Sequence, residues 1–195
     1  MKSFKTKNVI VRKFEMDDVE QAYYNLSIYN DMENICDETI PKNMNKTKII
    51  IKSAIREYYT DEPIWAVEDK ETKHLIGYIR VTNYSPKNKM CNITWAMSYK
   101  YWDNCFMKDA LTQILNFLFT KKNIELVECS YYEQNSEYSV ILESIGMTKE
   151  ACLRDRRINE RTNKKENFVI YSINKEEFFR TIRNKYIKFL HKKIS

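Results

Sequence analysis

Tyr101-Trp102-Asp103-Asn104-Cys105-Phe106-Met107-Lys108-Asp109-Ala110-Leu111 lies between an apolar, β-branched run, Met90 to Tyr99, and an amphipathic helical one. In α/β enzymes such a strand-to-helix junction commonly holds a phosphate. The first turn of a helix presents unpaired N–H groups and a partial positive charge, so an anion binds there without a dedicated side chain. This junction contains no glycine. Any grip it has on a phosphate rests on main-chain amides framed by full side chains.

Working forward, Asp103 or Asn104 caps a helix to about Lys122, because Phe106, Ala110, Leu111, Ile114, Leu115, Leu118 and Phe119 fall near 3.6-residue spacing. Glu125 to Tyr132 then reads as a strand. Ser136 to Ile145 reads as a short helix stopped by Gly146, and Met147 to Ile158 with Asn167 to Ile173 as a hairpin.

Working backward, Ile64 to Glu68, His74 to Tyr84 and Met90 to Tyr99 form three successive antiparallel strands, with Asp69-Lys70-Glu71-Thr72 as the first turn. Thr47 to Tyr59 has helical spacing. Met32 to Asn45, with Pro41, reads as loop or broken helix, and Asp17 starts a helix through about Tyr29. Val9, Val11 and Phe14 alternate as a first strand. The order is therefore β, two helices, three strands, helix, strand, helix, two strands.

At 195 residues and 43% hydrophobic content the chain suits one domain, residues 1–174, followed by a basic amphipathic helix in 175–195. In that helix Phe178, Phe179, Ile182, Tyr186, Phe189 and Leu190 oppose Arg180, Arg183, Lys185, Lys188 and Lys192. The formal charge is +6 without an uninterrupted basic run, so no nucleic-acid partner is expected. No apolar window approaches a membrane span, and the start is too polar for a signal peptide, so a cytoplasmic location is expected. The five cysteines are scattered without a Cys-x-x-Cys pair, which argues against a disulfide framework and a zinc site.

Several phrases, in order, carry a resemblance. They are Val9-Ile10-Val11-Arg12-Lys13-Phe14 with Asp17-Asp18, Ile76-Gly77-Tyr78-Ile79, Tyr101-Trp102 with Asp109-Ala110-Leu111, and Asn135 eleven residues before Gly146 with Leu142-Glu143 between. Together they resemble the GNAT superfamily of acyl-CoA-dependent N-acetyltransferases, and within it the branch of ribosomal-protein alanine N-acetyltransferases. The resemblance implies an α/β (α+β) fold. Its central mixed seven-stranded sheet has a splayed pair of parallel strands, Met90 to Tyr99 and Glu125 to Tyr132, with helices on both faces and an extra C-terminal helix.

It also implies that acetyl-CoA is the co-substrate, with no metal, and that a primary amine is the acceptor, either a protein N-terminus or a small molecule. Homodimerisation stays open. The cofactor-binding candidates are Trp95, Met97, Trp102, Asn104, Cys105, Phe106, Met107, Lys108 and Asn135. The family loop follows Arg/Gln-x-x-Gly-x-Gly/Ala, and its small positions are here Cys105 and Met107, with a further common glycine at Asp103, so the loop is degenerate. Lys108 in the first turn and Asn104 as cap are the compensating groups.

In direct transfer the amine attacks the thioester, strand N–H groups steady the oxyanion, and an acid protonates the departing thiolate. Tyr138, at the family's Asn-x-x-Ser serine position, is the candidate acid and Ser139 the reserve. The plain alternative for Tyr138 is packing. Glu128 and Glu133 are candidate bases, with ordinary surface roles as the alternative. Cys105, near a helix start beside Lys108, is either a reactive thiol or a small residue filling a tight loop. The acidic Asp31, Glu33, Asp37 and Glu38 offer a cationic amine an attractive acceptor side. The alternative to an enzyme is a catalytically silent member acting as a CoA-binding or regulatory module.

Overall fold

The computed structural model describes residues 3–27, 43–102, 105–159 and 163–194, with side chains to residue 187. Its centre is one eight-stranded sheet of order β1-β2-β3-β4-β5-β6-β8-β7. The strands are β1 Phe4–Lys5, β2 Val9–Arg12, β3 Ile64–Asp69, β4 Leu75–Ser85, β5 Met90–Met97, β6 Leu126–Tyr132, β7 Thr148–Asn159 and β8 Lys164–Asn174. The sequence order predicts seven strands; the eighth is the two-residue β1, too short to show a period.

Among the described residues five α-helices accompany the sheet: α1 Asp18–Ala22, α2 Met44–Glu57, α3 Phe106–Lys121, α4 Glu137–Ser144 and α5 Lys175–Ile194. The first passes directly into a π-helical turn, Tyr23–Ser27, and the expected end near Tyr29 lies outside the described residues. The expected loop over Met32 to Asn45 lies mostly outside the described residues. Where it is described, α2 starts at Met44, three residues before the predicted Thr47, because Asn43 Oδ1 accepts from the amides of Asn45 (3.0 Å) and Lys46 (3.2 Å).

All neighbouring strands are antiparallel except β5 and β6. That parallel pair needs a crossover, which α3 supplies. The helix buries Met107, Ala110, Leu111, Ile114, Leu115, Leu118 and Phe119 against one face of the sheet. Each of the Met, Leu, Ile and Phe side chains contributes about 1.5–3 kcal/mol relative to exposure. Met107, rather than Phe106, completes this buried stripe.

Trp65 on β3 touches Phe117 of α3. The register Trp65↔Ile79↔Trp95 therefore places all three on the α3 face, together with the next row Val67↔Gly77↔Met97.

At the far end, α4 closes at Gly146, which takes φ +97° while its amide and that of Met147 bond to the carbonyls of Glu143 and Leu142. A reciprocal pair starts α5: Asn174 N–H donates to Glu177 Oε2, and Glu177 N–H to Asn174 Oδ1, both at 2.9 Å. The first turns of α5 then pack Phe178 on Phe119. No helix among the described residues is long and apolar enough to cross a membrane.

Candidate active site

Strand β5 pairs with β6 only from Met90↔Leu126 to Ile93↔Cys129. Yet β5 stays paired with β4 up to Met97↔Gly77, and β6 with β8 up to Tyr132↔Phe168. Each strand keeps its outer partner and loses its inner one, so the sheet opens as a V after Ile93 and Cys129. Backbone groups facing into that V have no strand to pair with, and an extended polar ligand is the natural partner for them.

The cofactor loop stands at the mouth of this opening. A 3₁₀ turn, Tyr99–Tyr101, follows β5, and Trp102 folds back so that its Nε1 donates to the Met97 carbonyl at 3.0 Å. The first helical hydrogen bond of α3 runs from the Asp109 amide to the Cys105 carbonyl at 3.0 Å. The amides of Phe106, Met107 and Lys108 precede it and lack an intrahelical acceptor. Cys105 is exposed and makes no capping bond. Met107 is fully buried, its side chain turned beneath the sheet towards Gly77. Lys108 is half-buried in the first turn. Asn104, the expected cap, and Asp103 lie outside the described residues, as do Asp31, Glu33, Asp37 and Glu38.

Tyr138, at 1% exposure, sits inside the V. Its ring centroid lies 4.3 Å from Trp95 on one strand and 5.6 Å from Tyr131 on the other, with Trp102 edge-on at 5.1 Å. Trp95 and Tyr131 are the first same-face positions beyond the last β5–β6 pair, so this phenol bridges the opened strands. Asn135, also buried, leads into the helix: its amide donates to the Tyr132 carbonyl and its carbonyl accepts from Tyr138 N–H. Ser139 Oγ donates to the Ser136 carbonyl at 2.6 Å.

The candidate bases are elsewhere. Tyr131 faces α4, so strand alternation puts Glu128 on the opposite face, level with Asn92 of β5 and Ser172 of β8. Glu128 and Tyr138 are thus on opposite faces of the sheet, and Glu128 lies one pair before the strands part. Glu133 is held by Asn167 Nδ2 (2.7 Å) and the Cys152 thiol (3.4 Å), chiefly the former, and these bonds lower its carboxyl below the ordinary value. Buried Cys91 is inert, its thiol pushed up to about 12 by burial.

Two buried polar atoms adjoin the open stretch of β5 with no hydrogen-bond partner among the described residues: Trp95 Nε1 and Ser98 Oγ, on residues at 0% exposure. A buried donor without an acceptor costs about 1–3 kcal/mol, so both fit a site completed by an amide-containing ligand such as a pantetheine arm. Among the described residues no cluster of three or more His, Cys, Asp or Glu is placed to hold a metal ion.

The family model for the acetyltransferase (GNAT) domain matches residues 8–148. The chain belongs to the GNAT acetyltransferase family. Two Bacillus relatives are named as N-acetyltransferases. The uncharacterized N-acetyltransferase p20 of Bacillus licheniformis is 21% identical over 173 residues, covering 80% of this chain and 87% of that one. The uncharacterized N-acetyltransferase YoaA of Bacillus subtilis is 24% identical over 90 residues, 46% of this chain and 51% of its own length.

Among solved structures, the ribosomal-protein-S5-alanine acetyltransferase of Vibrio fischeri superposes with TM-score 0.77 at 14% identity, over 91% of this chain and 99% of that one. The spermidine N-acetyltransferase of Vibrio cholerae, in complex with CoA and spermine, gives 0.74 at 15% identity, over 89% and 99%. The mixed sheet with its one parallel pair is the GNAT fold.

Tyr131 escaped the sequence reading although it forms one wall of the V. The signal was present in its alternation with Val127 and Cys129, but nothing in the sequence says that β6 leaves β5 one position earlier.

Proposed function

We propose that this GNAT protein is an acetyl-CoA-dependent N-acetyltransferase that transfers acetyl to a primary amine by direct attack in a ternary complex. The observation carrying the reading is the loss of β6 from β5 after Ile93 while β4 stays paired to Met97, beside first-turn amides of α3 that no helical carbonyl satisfies. Acetyl-CoA supplies an activated thioester. The amides of Phe106 to Lys108 bind its diphosphate, with Lys108 adding charge, and the loop without glycine suffices because main-chain donors do the binding. Trp95 Nε1, Ser98 Oγ and the free edge of β5 orient the pantetheine arm.

Tyr138 donates a proton to the departing thiolate, with Ser139 second in line. Glu128, on the opposite face of the sheet just before the strands part, draws the proton from the incoming amine, directly or through water. The V is the passage between the two roles. The acceptor is a protein N-terminus or a small amine, the two kinds of acceptor carried in the names of the two Vibrio relatives. Release of free thiol from acetyl-CoA, followed colorimetrically across a panel of amines and N-terminal peptides, tests this. Amine-dependent release supports it, and no release with any amine refutes it.

A second reading has its own support: Tyr138 fills the V at 1% exposure. If the ring stays there with CoA bound, the protein is a CoA-binding module without turnover. Saturable binding of acetyl-CoA with no thiol release across the panel is its signature.

A further inference from the structure

Helices α3 and α5 each bring one cation into the seam they share with α4. On α3, Lys108, Thr112, Leu115 and Phe119 are spaced i, i+4, i+7 and i+11 and so lie on one stripe. On α5, Phe178, Thr181 and Lys185 are spaced i, i+3 and i+7 and lie on another. The two stripes meet where Phe119 packs on Phe178, with ring centroids 5.3 Å apart. From that contact α5 passes the end of α4: Thr181 lies against Gly146, and the Lys185 ammonium donates to the Ser144 carbonyl at 2.6 Å. The bond holds the ammonium of an exposed residue in one place, where it feels the charge of Lys108.

A held pair of like charges is unfavourable by itself. Desolvation lowers the Lys185 ammonium below its ordinary value, and the charge of Lys108 lowers it further. Among the described residues neither lysine has a carboxylate within salt-bridge distance, and residues 178–195 contain no Asp or Glu. A bound anion relieves both penalties. The amides of Phe106 to Lys108 already provide for one phosphate group, so a cation fixed on a separate helix suits a second one.

We propose that Lys185 recognises the 3′-phosphate of CoA, so that the C-terminal helix completes the co-substrate site and selects CoA over its 3′-dephosphorylated form. The inference rests on the acetyltransferase reading above, which sets the diphosphate on the first turn of α3. In CoA the 3′-phosphate belongs to the adenosine end, opposite the pantetheine arm that enters the V. Helix α4 leads outward in the same sense, from Tyr138 inside the V to Ser144, where Lys185 is held. A phosphate monoester carries a charge of about −1.5 to −2 at neutral pH and three strong acceptor oxygens. It satisfies the Lys185 ammonium and leaves Lys108 to the diphosphate. Lys185 binds and takes no part in the transfer of the acetyl group.

Calorimetric titration of CoA and of 3′-dephospho-CoA into the full chain tests this without turnover. The wild type is expected to bind CoA about fivefold tighter than dephospho-CoA, the upper range for an ion pair at an exposed residue. In Lys185→Gln that preference falls below about twofold, because affinity for CoA drops while affinity for dephospho-CoA holds.

Equal binding of the two ligands by the wild type overturns the proposal, and that comparison needs no variant. A preference that survives in Lys185→Gln overturns it too. So does an equal loss of both ligands in the variant, which marks Lys185 as a support for α5 alone. Each of these results leaves the CoA site standing. A wild type that binds neither ligand at millimolar concentration overturns both this inference and the acetyltransferase reading.

Discussion

Met107 of α3 lies directly against Gly77 of β4: a Cβ built on Gly77 would meet Met107 Cε at 3.2 Å and the Ala96 carbonyl oxygen at 2.5 Å. The Met107 side chain, which the family resemblance sets at a glycine position, is thus stowed in the core, in space that Gly77 provides. Gly77→Ala meets backbone that cannot swing aside. It is expected to destabilise the protein by about 1–3 kcal/mol through overpacking, measured by urea denaturation, and a wild-type midpoint would contradict this.

The second glycine clamps the C-terminal helix. Gly146 has φ +97°, and a Cβ there would lie 2.6 Å from Thr181 Oγ1 on α5. Gly146→Ala combines left-handed strain with that clash, an expected loss of about 1–3 kcal/mol. Limited proteolysis should then cut within α5 faster than in the wild type; an unchanged cleavage pattern would show that α5 docks independently of this contact.

A largely buried ion cluster ties β2 to α1 and β3. Arg12 grips both Asp18 oxygens at 2.8 Å and Glu68 at 2.6 Å, and the Asp18 bond is the chief cause of a raised guanidinium pKa. Arg12→Leu takes the guanidinium from Asp18 and leaves Glu68 with the longer contact to Lys73 at 3.9 Å, and should cost about 3–5 kcal/mol at neutral pH. A denaturation midpoint matching the wild type would contradict the electrostatic account.

Much of the fold was legible because it rests on period. The α3 stripe, the strand alternation of Cys91, Ile93 and Trp95, and the stop at Gly146 are local patterns, and they coincide with the observed elements. What was not legible depends on where chain segments separate. No residue marks Ile93 and Cys129 as the last pair of β5 and β6, because the divergence comes from each strand following its outer neighbour. For the same reason Tyr131 was passed over, and the face carrying Glu128 became clear only once Tyr131 was found against α4.

Tyr138 separates packing from chemistry. Tyr138→Phe keeps the ring between Trp95 and Tyr131 and removes only the hydroxyl. On the proposed mechanism kcat falls about a hundredfold while calorimetric affinity for acetyl-CoA is unchanged. Undiminished turnover would remove Tyr138 from the reaction and leave it as a wedge.

The most direct test is calorimetric titration of acetyl-CoA into the wild type and into Cys105→Gly. If main-chain amides at the start of α3 carry the diphosphate, the wild type binds saturably with one site, and the added glycine changes the affinity by less than about threefold, under 1 kcal/mol. No heat with the wild type at millimolar ligand, or binding that appears only once glycine is installed, would contradict the account.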